Sequence, residues 1–258
     1  MTLLGHDRYC DELLRQTELF GAALAGADLA ATVPTCPEWS LGELTRHLGR
    51  AHRWAEAIVR KKATEAVPPG QVPDSAGPAD EDPEALGDWL ASGAARLAAT
   101  LRAAGPDTVV WTWAADQRAG FWARRMVHET VVHRADAALT AGVPFDVDAD
   151  VAADTIDEWL EILAFAQASG DKDAADLRGA GRSIHLHATD AAGAEWLVEF
   201  GDDGFSWRRA HEKATVALRG PLTDVLQVFY RRLPAGSDRV EVLGDRELLD
   251  FWLERASF

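Results

Sequence analysis

Up to about residue 170, apolar side chains recur every three or four positions, the period of a helix with one buried face. Beyond that point they alternate, as in a half-buried strand. Tyr9, Leu13, Leu14, Thr17, Phe20, Leu24 and Leu29 predict a first helix over residues 7–31, punctuated by Gly21 and Gly26. Pro34, Cys36 and Pro37 break the pattern. Ser40 with Glu43 three residues on reads as a capping box, opening a second helix to about Lys62 whose buried stripe is Leu41, Leu44, Leu48, Ala51, Ala55 and Ile58. Residues 63–82, with Pro68-Pro69-Gly70, Pro73, Gly77 and Pro78, cannot propagate regular structure and are expected as a long surface loop. Leu86, Trp89, Leu90, Ala94, Leu97 and Leu101 predict a third helix over 83–104, ended by Gly105-Pro106. Trp111 and Trp113 lead through a turn into a fourth helix, stopped by Ala141-Gly-Val-Pro144. Val151, Ile156, Trp159, Leu160, Leu163 and Phe165 predict a fifth over 148–169, which either completes the bundle or links it onward.

After Gly170, Ile184, Leu186 and Ala188 alternate with His185, His187 and Thr189 as a strand would. Further short strands are expected at 196–200, 205–207 and 214–218. Gly220-Pro221 opens a helix to about Arg231, Val240-Glu-Val242 fits a strand, and 247–254 closes the chain as a helix. The expectation is two domains: an all-α bundle over residues 1–172 that includes the fifth helix as a link, and a small α+β domain over 173–258.

Composition narrows the function. Of 258 residues nearly half are hydrophobic, enough for a sizeable core. The net charge of −16 repels phosphate backbones and anionic headgroups, so neither nucleic acid nor a membrane surface is an expected partner. The start Met1-Thr-Leu-Leu-Gly-His-Asp7 does not read as a signal peptide and no apolar run approaches a membrane span, so a cytoplasmic location is expected. Two cysteines, Cys10 and Cys36, cannot build a Cys-rich zinc site and are expected as free thiols.

The chemistry concentrates in the fourth helix. Glu129 and His133 are four residues apart, so a carboxylate oxygen and an imidazole nitrogen share one face and can hold one cation. His47, mid-helix between Leu44 and Leu48, should point into the bundle and is the best third ligand; a core histidine satisfied by a hydrogen bond is the rival reading. Two His and a Glu match catalytic zinc sites, which leave a position for water or substrate. His128-Glu129 with His133 differs from the HExxH protease motif, because the second His comes one residue late and the two imidazoles sit about 140° apart. His128 is therefore assigned a supporting or surface role. His52 is expected to be structural or exposed. Asp136 can orient an imidazole or pair with Arg134, Arg125 or Arg124. Trp111, Trp113 and Trp122 can wall a pocket or pack the core. His185 and His187 share a strand face and could make a separate site, with an exposed sheet face as the plainer explanation. No phosphate loop or nucleophile elbow is present.

Two stretches carry a family resemblance: Val33-Pro-Thr-Cys-Pro-Glu-Trp-Ser-Leu-Gly-Glu-Leu-Thr-Arg-His-Leu48 and Phe121-Trp-Ala-Arg-Arg-Met-Val-His-Glu-Thr-Val-Val-His-Arg-Ala-Asp136. They resemble the mycothiol-dependent maleylpyruvate isomerase family. The resemblance implies a DinB-like up-down four-helix bundle that binds a metal through His47, Glu129 and His133. The Gly220-Pro221 helix start and Val240-Glu-Val-Leu-Gly-Asp245 look like the family's small sterol-carrier-like C-terminal domain. The implied activity is a divalent-metal enzyme, with zinc the expected ion and mycothiol the thiol cosubstrate. It would isomerise a small electrophilic substrate or transfer the thiol to it. Arg219, Arg231 or Arg232 are candidate partners for a substrate carboxylate. The alternative is a non-catalytic binding protein with a structural metal and an apolar ligand in its second domain.

Overall fold

The computed structural model describes residues 4–78 and 82–256. The chain divides into two compact units, Leu4–Phe145 and the residues from Asp146 on. None of the described helices is long and apolar enough to cross a membrane.

The first unit is a four-helix bundle of α1 (His6–Leu24), α2 (Leu41–Lys61), α3 (Pro83–Ala104) and α4 (Ala119–Ala141). α1 ends earlier than its apolar pattern suggested, because Gly26 takes a left-handed φ of 77° and turns the chain out of the helix. The capping box opens α2 as expected: Glu43 N–H donates to Ser40 Oγ at 3.2 Å, and Ser40 N–H donates to Glu43 Oε2 at 2.8 Å. Between α1 and α2, where only a break was expected, β1 (Thr32–Val33) and β2 (Cys36–Ser40) pair as a short antiparallel ribbon. The loop after α2 follows the sequence reading, with a single 3₁₀ turn at Pro69–Gln71; its residues 79–81 lie outside the described residues.

The helices do not alternate in direction as an up-down bundle would. Gly49 faces Trp89, Arg53 faces Gly93 and Glu56 faces Thr100, so α2 and α3 run parallel. Tyr9 meets His128 and Gln16 meets Arg134, so α1 and α4 are also parallel, whereas His47 and Trp54 oppose His133 and Trp122 in antiparallel sense. The order is up-down-down-up. The physical reason lies in the connection: α2 is roughly 30 Å long, and the Pro/Gly-rich loop after it is long enough to bring the chain back over that length.

The α2–α3 contact is close. A Cβ on Gly49 would lie 2.0 Å from the Trp89 ring. Arg53, buried beside it, donates to Trp89 O at 2.7 Å, Gly49 O at 3.2 Å and Asp74 Oδ2 at 3.1 Å, with its guanidinium 3.9 Å over the Trp89 ring. It straps the long loop onto the helix pair. Phe20, Leu24, Leu41, Leu44, Leu48, Leu86 and Leu90 fill the core at the end of the bundle near the ribbon.

The second unit is built on a five-stranded sheet of β3 (Arg182–Ala188), β4 (Glu195–Phe200), β5 (Phe205–Arg209), β6 (Val216–Gly220) and β7 (Glu241–Gly244), in the order β5-β4-β3-β6-β7. Only β3 and β6 are parallel neighbours. α5 (Ala149–Ala168), α7 (Leu222–Phe229) and α8 (Arg246–Arg255) accompany the sheet, with a single helical turn, α6 (Lys172–Ala175), after α5. Trp196, Phe229, Leu249 and Trp252 are fully buried in this unit.

The 1–172 boundary counted α5 with the bundle; the contacts place it in the second unit. Asp157 on α5 accepts from Trp196 Nε1 at 2.7 Å on β4 and from Arg209 Nη2 at 2.8 Å on β5, and Thr155 O accepts from Tyr230 Oη at 3.0 Å. Apolar periodicity showed a helix but not which sheet its buried face would meet.

Candidate metal centre

α2 and α4 run antiparallel, and this brings residues distant in sequence to one point. His47 Nε2 lies 3.2 Å from Glu129 Oε1, and His133 Nε2 lies 3.4 Å from the same oxygen. The two imidazole rings are 5.0 Å apart and nearly perpendicular. One donor atom from each of the three residues lies within 4.8 Å of the others. The expected trio is thus assembled within the bundle. Glu129 and His133 are buried, whereas the His47 side chain keeps 32% of its surface exposed, so the centre is open on that side.

Neighbouring groups hold each donor in place. His133 Nδ1 hydrogen-bonds Asp136 Oδ2 at 2.9 Å, and Asp136 Oδ1 accepts from Thr35 Oγ1 at 2.5 Å. A proton on Nδ1 leaves the Nε2 lone pair directed at the centre, the tautomer a metal requires. Arg125 Nη2 donates to the far oxygen of Glu129 at 3.2 Å. Trp39, at the end of the ribbon, lies 4.6 Å from the His47 ring and 6.2 Å from that of His133.

The electrostatics favour a charged cluster. Burial alone would raise the Glu129 pKa, but hydrogen bonds with His133 and His47 and the charges of His133 and Arg125 hold it well below the usual carboxylate range. Burial opposes the imidazolium of His133, yet the hydrogen bonds to Asp136 and Glu129 outweigh it and push the pKa up to about 9. The donor set therefore fits a divalent cation: two imidazoles and a carboxylate, already converged, with a proton held where the ion would sit.

The other candidates separate. His52 is fully buried rather than exposed, with Nε2 2.9 Å from Thr130 Oγ1. His128 is also fully buried, edge-on to Tyr9 of α1 at 6.2 Å, so a surface role is corrected. Asp136 pairs with His133 and Thr35, while Arg134 donates to Gln16 Oε1 at 2.6 Å. Trp111 and Trp122 pack edge-to-face with Trp54, with Trp122 Nε1 donating to Trp111 O at 2.9 Å. Neither Cys10 nor Cys36 is bridged in a disulfide, and burial pushes Cys10 up to about 11. Arg219 pairs with Glu241 at 2.8 Å, Arg232 donates to Tyr230 O at 2.7 Å, and Arg231 holds a left-handed φ of 63° after α7. Sequence reasoning missed Trp39, Thr35 and the Arg125 contact. Only the last had a local signal, its four-residue spacing from Glu129.

An antiparallel helix pair presenting a His-Glu-His centre, followed by a small α+β unit, defines a two-domain class. The mycothiol maleylpyruvate isomerase N-terminal domain matches residues 10–138, and the MDMPI C-terminal domain matches residues 150–251. The chain belongs to the mycothiol maleylpyruvate isomerase family. Two solved structures share the fold, the mycothiol-dependent maleylpyruvate isomerase and a histidine-to-alanine mutant described under the same name. They are 16% and 15% identical to this chain, each with a TM-score of 0.59 over 94% of this chain and 95% of the other. No curated protein matches the sequence.

Proposed function

We propose that the chain is a divalent-metal enzyme that uses mycothiol to isomerise, or to add the thiol to, a small electrophilic substrate. The observation that carries this reading is the convergence of His47, Glu129 and His133, with an open side at His47, in a chain of this family. Zinc is the expected ion, since borderline imidazole and carboxylate donors suit it. When bound, it lowers a thiol's pKa and so supplies thiolate at neutral pH.

The protein's own groups do the positioning. Asp136, steadied by Thr35, fixes the His133 tautomer, and Arg125 occupies the Glu129 oxygen that faces away from the two imidazoles. Trp39 covers one side of His47 with an apolar ring, which limits water there. In the isomerase form, a carbon–sulfur bond forms at the cis double bond, the remaining single bond turns, and the same carbon–sulfur bond breaks to leave the trans product. The thiol is returned. In the transferase form the adduct departs.

The test is metal analysis joined to turnover. Purified protein carrying both His47→Ala and Glu129→Ala should hold one divalent ion per chain fewer than wild type. The metal-loaded wild type, given mycothiol and a panel of electrophiles that includes maleylpyruvate, should yield isomers or conjugates by mass spectrometry. Undiminished metal content in the double variant would overturn the centre, and a metal-loaded wild type inert across the panel would overturn the enzyme.

A further inference from the structure

The C-terminal sheet carries a second cluster, distinct in sequence and place from the centre in the bundle. His185 and His187 alternate along β3 and project from the same face, and Glu195 stands opposite His187 across the β3–β4 pair. The fourth member arrives by topology. β5 must connect to the parallel strand β6 by crossing β4 and β3, a crossover that usually needs a dozen or more residues. Six suffice here, residues 210–215, because Arg209 ends β5 at the level of Leu186 and Val216 starts β6 at the level of Ile184. This short segment brings His211 to Glu195.

Three imidazoles then meet one carboxylate oxygen. His185 Nε2 is 2.9 Å from Glu195 Oε2, His187 Nδ1 is 2.8 Å and His211 Nδ1 is 2.5 Å. The rings are 5.4 to 5.5 Å apart in every pairing. A carboxylate oxygen offers two lone pairs, so three imidazole nitrogens aimed at it exceed what hydrogen bonding alone can satisfy. A cation among the four donors resolves the excess, with each imidazole in the tautomer whose proton sits on its outer nitrogen. His185 is nearly buried, Glu195 and His187 are partly so, and His211 is open to solvent, so an ion can enter from the crossover side.

We infer that His185, His187, Glu195 and His211 form a second divalent-metal site, of zinc type, that pins the β5–β6 crossover to the sheet. Three nitrogens and one oxygen complete a tetrahedron. No protein-free position is left for substrate, which makes the site structural. Tetrahedral ligands lie about 3.3 Å apart, so the contacts must open by about 0.4 to 0.8 Å, the most at His211, whose exposed side chain can make the shift by rotation.

The experiment counts zinc retained through gel filtration by the full chain, in wild type and in the His187→Ala, His211→Ala double variant. Neither side chain is in the core, so the variant is expected to keep the wild-type circular dichroism. The inference expects one zinc per chain fewer in the variant, and a smaller zinc-induced rise in melting temperature. Zinc content equal to wild type overturns it. The same count on the His47→Ala, Glu129→Ala background separates the two centres: loss of an ion on removing His187 and His211 supports the second site even if the first binds nothing. As a check against a fold defect, His187→Gln with His211→Gln should lose the same ion.

Discussion

At the scale of single residues, the proposed metal centre depends on groups outside its three donors. Asp136→Asn keeps the shape of the side chain but weakens its hold on the His133 tautomer, and should reduce zinc affinity roughly 10–100-fold in a chelator competition. Zinc must also displace the proton that His133 holds up to about pH 9. Affinity should therefore rise by about tenfold per pH unit from neutrality toward that value, and a flat profile would contradict the ion-pair geometry. His52 behaves in the opposite way. Thr130 gives its own proton to Met126 O, so it accepts from His52 Nε2, and burial pushes His52 down to about 3 from an ordinary 6.5. Between those values the unfolded chain binds more protons than the folded one, so this stability is whole above pH 6.5 and is lost as pH falls toward 3. Urea unfolding at pH 7.5 and 4.5 should show a larger loss in wild type than in His52→Phe. The converging trio of His47, Glu129 and His133 was legible because helical spacing and a polar residue among apolar neighbours are local signals. His52 has the same local appearance as His47, and only the packing of α2 against α4 tells a buried hydrogen bond from an open donor.

Elements carry their own tests. Ser40→Ala removes one arm of the capping box at the start of α2 and should cost about 1 kcal/mol, read as a lower denaturation midpoint. Gly49→Ala places a methyl into the Trp89 ring where α2 and α3 run side by side, and should cost about 1–3 kcal/mol through overpacking, more than the same change at the open Gly87. The helices and strands themselves were readable from periodicity, with ends marked by Ser40, Gly105 and Gly142. The β1–β2 ribbon was not, since two-residue pairing leaves no periodic trace. Yet it matters, because it places Thr35 and Trp39 beside the centre. The parallel course of α2 and α3 was likewise invisible: apolar stripes show which face is buried and say nothing about direction.

At the scale of the whole molecule, the division at Phe145 rather than at residue 172 has a direct consequence. A fragment beginning at Asp146 keeps α5, and with it the acceptor of the Trp196 indole and the partner of Arg209. A fragment beginning at residue 173 loses both and uncovers part of the sheet. Expressed separately, the longer fragment should give dispersed amide resonances and the shorter one should aggregate; equal behaviour would place α5 outside the second unit. Sequence composition carried the existence of two units, because the change of period near residue 170 is global. It could not carry the boundary, which depends on which surface α5 covers.

Every residue of α4 from Arg125 to Ala138 is buried, an unbroken run that takes in Glu129 and His133. A helix so enclosed has no solvent-facing side along which its hydrogen bonds can open one turn at a time. Its amides should exchange with deuterium only when the bundle as a whole unfolds, slower than those of α3 and among the slowest in the protein. The spacing of Glu129 and His133 is then fixed for as long as the bundle stays folded, and any motion that admits a substrate must come from the His47 side.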